Sequence, residues 1–209
     1  MKTRDGRTYW ERHAANYDRS MAILGGPLSR MVTLAAEDVP EGARVLEVGA
    51  GTGLVTVALA RRASELTATD YAEAMVARVE ARVRATGLTN VRCAQADLYA
   101  LSFGDGAFDV VVAANLLHLV PDLSGAIEAL RRVIRPGGRL LAPTYCHAET
   151  VLSRATSRLL ALTGFPGHRR FTAAALRAAL TGAGLTVERA ELLPGVIPIG
   201  YVAATAPGA

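Results

Sequence analysis

Gly49, Gly51 and Gly53 stand at alternate positions directly behind the short apolar run Val45-Leu46-Glu47-Val48. At a strand-to-helix turn, such glycines bring backbone N–H groups close to a ligand with no Cβ in the way. The dinucleotide fingerprint G-x-G-x-x-G does not fit. Counted from Gly49, its third glycine falls on Leu54; counted from Gly51, on Thr56. Asp70 follows Gly51 by 19 residues. That is near the roughly 20-residue spacing at which doubly wound folds place a carboxylate on a ribose diol. A carboxylate accepts two hydrogen bonds and so matches the diol. The plainer alternative is that Asp70 caps the helix that begins just after it. Glu47 reads as a buried carboxylate beside the glycine turn, and burial obliges it to find a hydrogen-bond partner. Nearby backbone N–H groups or a ligand ammonium meet that need.

Regular elements must position these residues. Arg44–Val48 reads as a strand, Leu54–Ala63 as a helix, Leu66–Asp70 as a strand and Ala72–Thr86 as a helix ended by Gly87. Asn90–Ala94 and Phe108–Ala114 follow as strands, the latter apolar on both faces as a central parallel strand requires. A helix from about Pro121 to Ile134 is stopped by Pro136-Gly137-Gly138, and Arg139–Thr144 is the fifth strand. Alternating strands and helices imply an α/β fold, a doubly wound, mostly parallel sheet. After Tyr145 the rhythm changes. Glu149–Thr163 reads as a helix with apolar Val151, Leu152, Ala155, Leu159 and Leu162, and Thr172–Thr181 as another capped by Thr172. Leu185–Leu192 and Ile197–Ala204, joined across Pro194-Gly195, form a closing antiparallel pair. Gly49–Gly53, Asp70, Asp97 and Asn115 all fall at carboxyl ends of strands, where open α/β sheets bind their ligands.

Written out, the turn is E-x-G-x-G-x-G, from Glu47 to Gly53. It resembles the first motif of class I methyltransferases dependent on S-adenosylmethionine, and the likeness is clear over about residues 44–145. The resemblance implies a Rossmann-like sheet of seven strands with the last one antiparallel. It also implies S-adenosylmethionine as cofactor, contacted by Gly49, Ala50, Gly51 and Gly53. Asp70 would hold the ribose. Asp97 and the backbone of Leu98 would meet the adenine, and Asn115 and Tyr17 the methionine moiety. Glu47 belongs to the same set, and Tyr71 and Met75 can pack on the adenosine; for Met75, plain core packing is the alternative.

The acceptor is read from what surrounds the methyl group. Nucleobase amino-methyltransferases carry Asn or Asp followed by two prolines and an aromatic; here the segment is Asn115-Leu116-Leu117-His118. No carboxylates suggest a metal site, and Cys93 and Cys146 lack metal spacing. The segment Leu117-His118-Leu119-Val120-Pro121 resembles the small-molecule branch, including quinone and phospholipid methyltransferases. His118 is thereby a candidate base or acceptor-orienting group, with a cap on the following helix as the alternative. Tyr145 and His147, two apart after strand five, are candidates on the same side of the chain. The basic loop Phe165–Arg170 offers His168 and Arg169 to an anionic group of the acceptor, or is simply solvated.

The chain is read as one domain over residues 1–209, with 1–40 as an N-terminal helical cap and 146–170 as a helical insertion covering the acceptor. Its 209 residues, 51% of them apolar, supply a substantial core. No run is long enough to span a membrane, and Met1 to Arg12 is too polar for a signal peptide, so a cytoplasmic protein is expected. Of the 23 basic residues only Lys2 is lysine, a bias that suggests a bacterial, GC-rich source. A net charge of +4 with scattered arginines favours a solvated surface over a nucleic-acid partner. The expected partner is a small-molecule acceptor bearing an O, N, S or C nucleophile, and the protein is expected as a monomer or homodimer. The apolar faces of helices 21–34 and 149–163, with Arg154 and Arg158, permit shallow docking at a membrane surface, though ordinary core packing explains them equally. A non-catalytic cofactor-binding subunit is the reading outside enzymes.

Overall fold

The computed structural model describes residues 6–13 and 27–208. Tyr17 lies outside the described residues. The elements run α1 (Gly6–His13), α2 (Pro27–Glu37), β1 (Arg44–Val48), α3 (Leu54–Ala60), β2 (Glu65–Asp70), α4 (Glu73–Thr86) and β3 (Val91–Gln95). They continue with β4 (Phe108–Val112), α5 (Leu123–Val133), β5 (Ile134–Leu141), β6 (Thr144–Tyr145), α6 (Val151–Leu162), α7 (Ala173–Gly182), β7 (Thr186–Leu193) and β8 (Ile199–Thr205). A 3-10 turn, Leu98–Ala100, follows β3.

One sheet carries the order β3-β2-β1-β4-β5-β8, with β7 on the far side of β8. β1 to β5 pair in parallel, and β8 runs antiparallel to β5, β6 and β7. β6 follows β5 after Ala142-Pro143 and pairs the same neighbour. Proline has no N–H to give the ladder, so β5 and β6 are one strand interrupted. That makes seven strand positions with an antiparallel last strand.

The central strands alternate their buried residues between two cores. Val45, Val110 and Val112 join Met31, Leu59 and Val79 on one face. Leu46, Val48 and Val111 join Ile127, Leu130, Leu176 and Leu180 on the other. Each fully buried Leu or Val removes enough apolar surface to stabilise by ~1.5–3 kcal/mol. A sheet covered on both faces leaves its strand ends as the free edge for a ligand.

One local feature differs from the sequence reading. Pro136-Gly137-Gly138, expected to lie between helix and strand, falls inside β5; its pairing with β4 shifts between Phe108 and Val110, which absorbs the irregularity. For α6 the structure decides between core packing and an exposed face. Its apolar residues point outward: Val151 is 75% exposed, Leu152 58%, Leu159 67% and Leu162 84%, while Ser153 and Ser157 are buried. A capping box sets this phase. Ser153 N–H donates to Thr150 Oγ1 at 2.9 Å and Thr150 N–H donates to Ser153 Oγ at 2.9 Å. The reciprocal bonds orient the first turn, so the row at 153 and 157 faces the protein.

Candidate active site

The turn after β1 is built on left-handed backbone: φ is 76° at Gly49, 58° at Gly51 and 80° at Gly53. A Cβ on Gly53 would lie 2.9 Å from Val79 Cγ2, so α3 and α4 approach only across glycine. At Gly51 a Cβ would meet nothing within 4 Å, and this residue lines a cavity of about 430 Å³. That volume is of the size used for small cofactors. Gly49 and Ala50 donate their N–H groups to Thr69 O at 2.8 and 2.9 Å, tying the turn to β2.

Across β3, β2, β1 and β4, in that spatial order, the cavity is lined by Asp97 and Leu98, by Asp70 and Tyr71, by Gly49 and Gly51, and by Asn115. The strand order reverses between β1 and β4, which is the switch point where such sheets bind ligands. Asp70 is anchored by both oxygens: Oδ2 accepts from Gly51 N–H at 2.9 Å and Oδ1 from Ala72 N–H at 3.0 Å. Burial pushes its pKa up, and these backbone donors counteract the shift. Asp97 Oδ1 accepts from Tyr99 N–H at 2.9 Å and so starts the 3-10 turn. Asn115 is the one described non-glycine residue with positive φ, at 51°. Its Oδ1 is buried with no partner among the described residues, and Asn115 lines the cavity, so a ligand donor can satisfy it. Met75 also lines the cavity, beside buried Ala72.

Glu47 stands elsewhere. It is 1% exposed, and its Oε2 accepts from Thr56 Oγ1 at 2.6 Å. Burial, reinforced by the nearby Asp70 carboxylate, pushes its pKa up to about 8 despite the Thr56 hydrogen bond. It supports α3 behind the glycine turn rather than lining the cavity, and Ala50 and Gly53 likewise shape the turn from outside the lining.

The cap reaches the site through residues that the sequence reading did not single out. Arg7 and Trp10 of α1 line the cavity. Glu11 caps α4 from 62 positions upstream, accepting from Glu73 N–H at 2.9 Å and Ala74 N–H at 3.2 Å. The actual N-cap residue, Ala72, offers no side-chain acceptor, so these orphan N–H groups depend on Glu11. Arg7 lies over the Tyr71 ring, 5.3 Å from its centroid.

His118, Tyr145 and His147 come together, beside the cavity rather than in its lining. The His118 ring is 5.2 Å from His147, 5.9 Å from Tyr145 and 6.1 Å from a stacked Phe165. Trp10, which does line the cavity, packs edge-on against Phe165 at 6.1 Å. Capping of α5 belongs to Asp122, whose Oδ1 accepts from Gly125 N–H at 3.1 Å, so the cap reading of His118 is set aside. Burial holds His118 down to about 3 and His147 down to about 4, with His147 adding to the first and Arg170 to the second. Both imidazoles are therefore neutral at ordinary pH. The His118 carbonyl accepts from His168 N–H at 3.0 Å and Arg169 N–H at 3.1 Å, which docks the basic loop. His168 lines the large cavity, whereas Arg169 lines a smaller one.

The glycine turn, the acids ending β2 and β3 and the asparagine after β4, on a 3-2-1-4-5 sheet with an antiparallel closing strand, define the class I methyltransferase fold. Residues 46–142 match the family model described as a methyltransferase domain. It is 36% identical over 146 residues to a ubiquinone/menaquinone biosynthesis C-methyltransferase of Azotobacter vinelandii, covering 66% of this chain and 58% of that one. It is 42% identical over 104 residues to a malonyl-[acyl-carrier protein] O-methyltransferase of Halorhodospira halophila, covering 49% and 35%. The chain thus spans little more than half the length of the first relative, and less of the second. Among solved structures, a SAM-dependent methyltransferase from Aquifex aeolicus superposes with a TM-score of 0.73 over 93% of this chain and 97% of that one, at 21% identity. That likeness bears on the fold.

Proposed function

We propose that the protein transfers the methyl group of S-adenosylmethionine to a small-molecule acceptor, releasing S-adenosylhomocysteine. One observation carries the reading: a single cavity collects a ribose-type carboxylate, a glycine cradle, an adenine-side acid and an orphaned amide oxygen from four adjacent strand ends. Asp70 holds the ribose hydroxyls, Asp97 and the Leu98 N–H meet the adenine, and Tyr71 and Met75 pack on the adenosine. Gly49, Gly51 and Asn115 receive the amino-acid end. The cofactor supplies a methyl carbon already activated by a positive sulfur. An acceptor lone pair forms the new bond to that carbon as the carbon–sulfur bond breaks and sulfur keeps the pair. The residues of this chain supply alignment and exclude water, which is the main demand of an in-line displacement. Leu116, Leu119, Val120 and Pro121 give the cavity an apolar wall at the methyl end of this arrangement. His118 and His147, neutral and beside the cavity, support its wall rather than deprotonate the acceptor, because imidazoles held near pKa 3 and 4 take up protons poorly at neutral pH. A screen of acceptor candidates, read by S-adenosylhomocysteine release, tests the proposal. Acceptor-dependent release supports it; cofactor binding with no release from any acceptor supports the accessory-subunit reading instead.

The exposed face of α6 favours an acceptor met at a membrane surface as the second reading. Val151, Ala155, Leu159 and Leu162 form one outward row beside Leu152, flanked by exposed Arg154 and Arg158, and the helix carries no acid. Apolar contact plus basic flanks is the pattern of an interfacial helix. Among the described residues no helix is long and apolar enough to cross a membrane. The protein is expected to co-sediment with vesicles containing phosphatidylglycerol, less so as salt rises, and the Leu159→Glu/Leu162→Glu variant is expected to lose most of that binding. Equal recovery of both proteins with the vesicles would remove this reading.

A further inference from the structure

Behind the aromatic cluster lies a void of about 30 Å³, lined in part by His147, Ser157, Phe165, Arg169 and Arg170. Three polar atoms beside it are buried and unpaired. Both ring nitrogens of His147, a residue 4% exposed, and Nε of Arg169 are buried with no partner among the described residues. Arg169 is not loose: its Nη2 donates to Pro121 O at 2.8 Å and its backbone N–H to His118 O at 3.1 Å. A guanidinium keeps its charge at every accessible pH, and a buried N–H without an acceptor costs stability. Among the described residues no acid lines the void, and neither Arg169 nor Arg170 takes part in an ion pair. Arg170 lies close enough for its charge to help keep His147 neutral.

We propose that this void is a binding site for a carboxylate-sized anion, held by Arg169, Arg170 and the His147 imidazole. Size and charge both point there. A water needs about 10–15 Å³ of such space, so the void takes two oxygen-sized atoms, as a carboxylate presents. Water alone satisfies hydrogen bonds but leaves the half-buried Arg169 without a counter-charge, whereas a carboxylate accepts from the Arg169 Nε–H and from a His147 N–H and neutralises charge as well. The strand-like loop gives the site its place. Gly167 and Arg169 face the void while His168, between them, faces the large cavity, so one loop serves both. The anion is either a carboxylate carried by the acceptor, a form that rests on the methyl-transfer reading, or a free anion that locks the loop.

The test is a titration of wild-type protein with sodium acetate, read by the imidazole ¹⁵N shifts of His147, with a bulky sulfonate buffer holding ionic strength constant. The expected result is a saturable shift, with Arg169→Gln weakening acetate at least tenfold and Arg170→Gln less. A linear, unsaturated drift, or Arg169→Gln binding acetate as wild type does, overturns the site and leaves water as its occupant. Acetate competing with the acceptor in turnover identifies an acceptor-borne carboxylate; saturation without competition identifies a free anion. Cofactor binding by the same wild-type protein is read separately, so acetate binding without S-adenosylhomocysteine binding keeps the anion site and sinks the methyl-transfer reading.

Discussion

Asp70→Ala is expected to weaken S-adenosylhomocysteine binding about a hundredfold, since losing charge-assisted hydrogen bonds worth ~1.5–3 kcal/mol each removes roughly 3 kcal/mol in all. Two losses combine. The ribose loses its carboxylate, and the Gly51 and Ala72 N–H groups lose the acceptor that holds the turn against β2. Asp70→Asn separates them. An asparagine oxygen still accepts one backbone N–H, so the turn is expected to persist while the paired acceptance by a charged group is lost. Calorimetry on both variants, with circular dichroism to verify folding, reads the outcome. Wild-type affinity in Asp70→Ala removes Asp70 from the ribose role and leaves it a structural anchor of the turn.

The second large effect is on stability, at Glu47. Its carboxyl titrates near 4.5 in an unfolded chain and is pushed up to about 8 by burial in the fold. Between those values the unfolded chain has released the proton and the folded chain retains it. The folded state then binds more protons, so stability falls as pH rises from about 4.5 to about 8. A displacement this large corresponds to an effect on the order of 5 kcal/mol. Glu47→Gln keeps an oxygen for the Thr56 hydroxyl and abolishes the titration. The variant is therefore expected to lose this pH dependence and to exceed wild type in melting temperature by a margin that grows from pH 5 to pH 8.5. Melting curves that stay parallel across that range would show that Glu47 is not the group responsible.

The sheet was legible because its punctuation is local. Glycine turns, the Gly87 stop, the Pro194-Gly195 connection and the doubly apolar Val110–Val112 run each act within a few residues, whereas Pro136-Gly137-Gly138 does not break the chain. Asp70, Asp97 and Asn115 were legible because strand ends are predictable once the strands are, and the strand order places them on one edge. What escaped depends on long-range contact or helix phase. Nothing near α4 announces that its N-terminus is capped by Glu11, so Arg7 and Trp10 were not foreseen at the cavity. The apolar residues of α6 have helical spacing that fits burial as well as exposure; the Thr150–Ser153 box decides between them. Glu47 was foreseen as buried and needing a partner, and Thr56, one helical turn past Gly53, supplies it. His118 was correctly placed after β4, but its exclusion from the cavity lining depends on the stacking of Phe165, 47 positions later in the chain.

The central claim is that the cavity across β3, β2, β1 and β4 is a cofactor site. Isothermal calorimetry of the wild-type protein with S-adenosylhomocysteine tests it most directly. The structure leads to saturable binding of one molecule per chain, competed by S-adenosylmethionine. A titration with no saturable binding of either compound, on protein that melts cooperatively, would contradict the account.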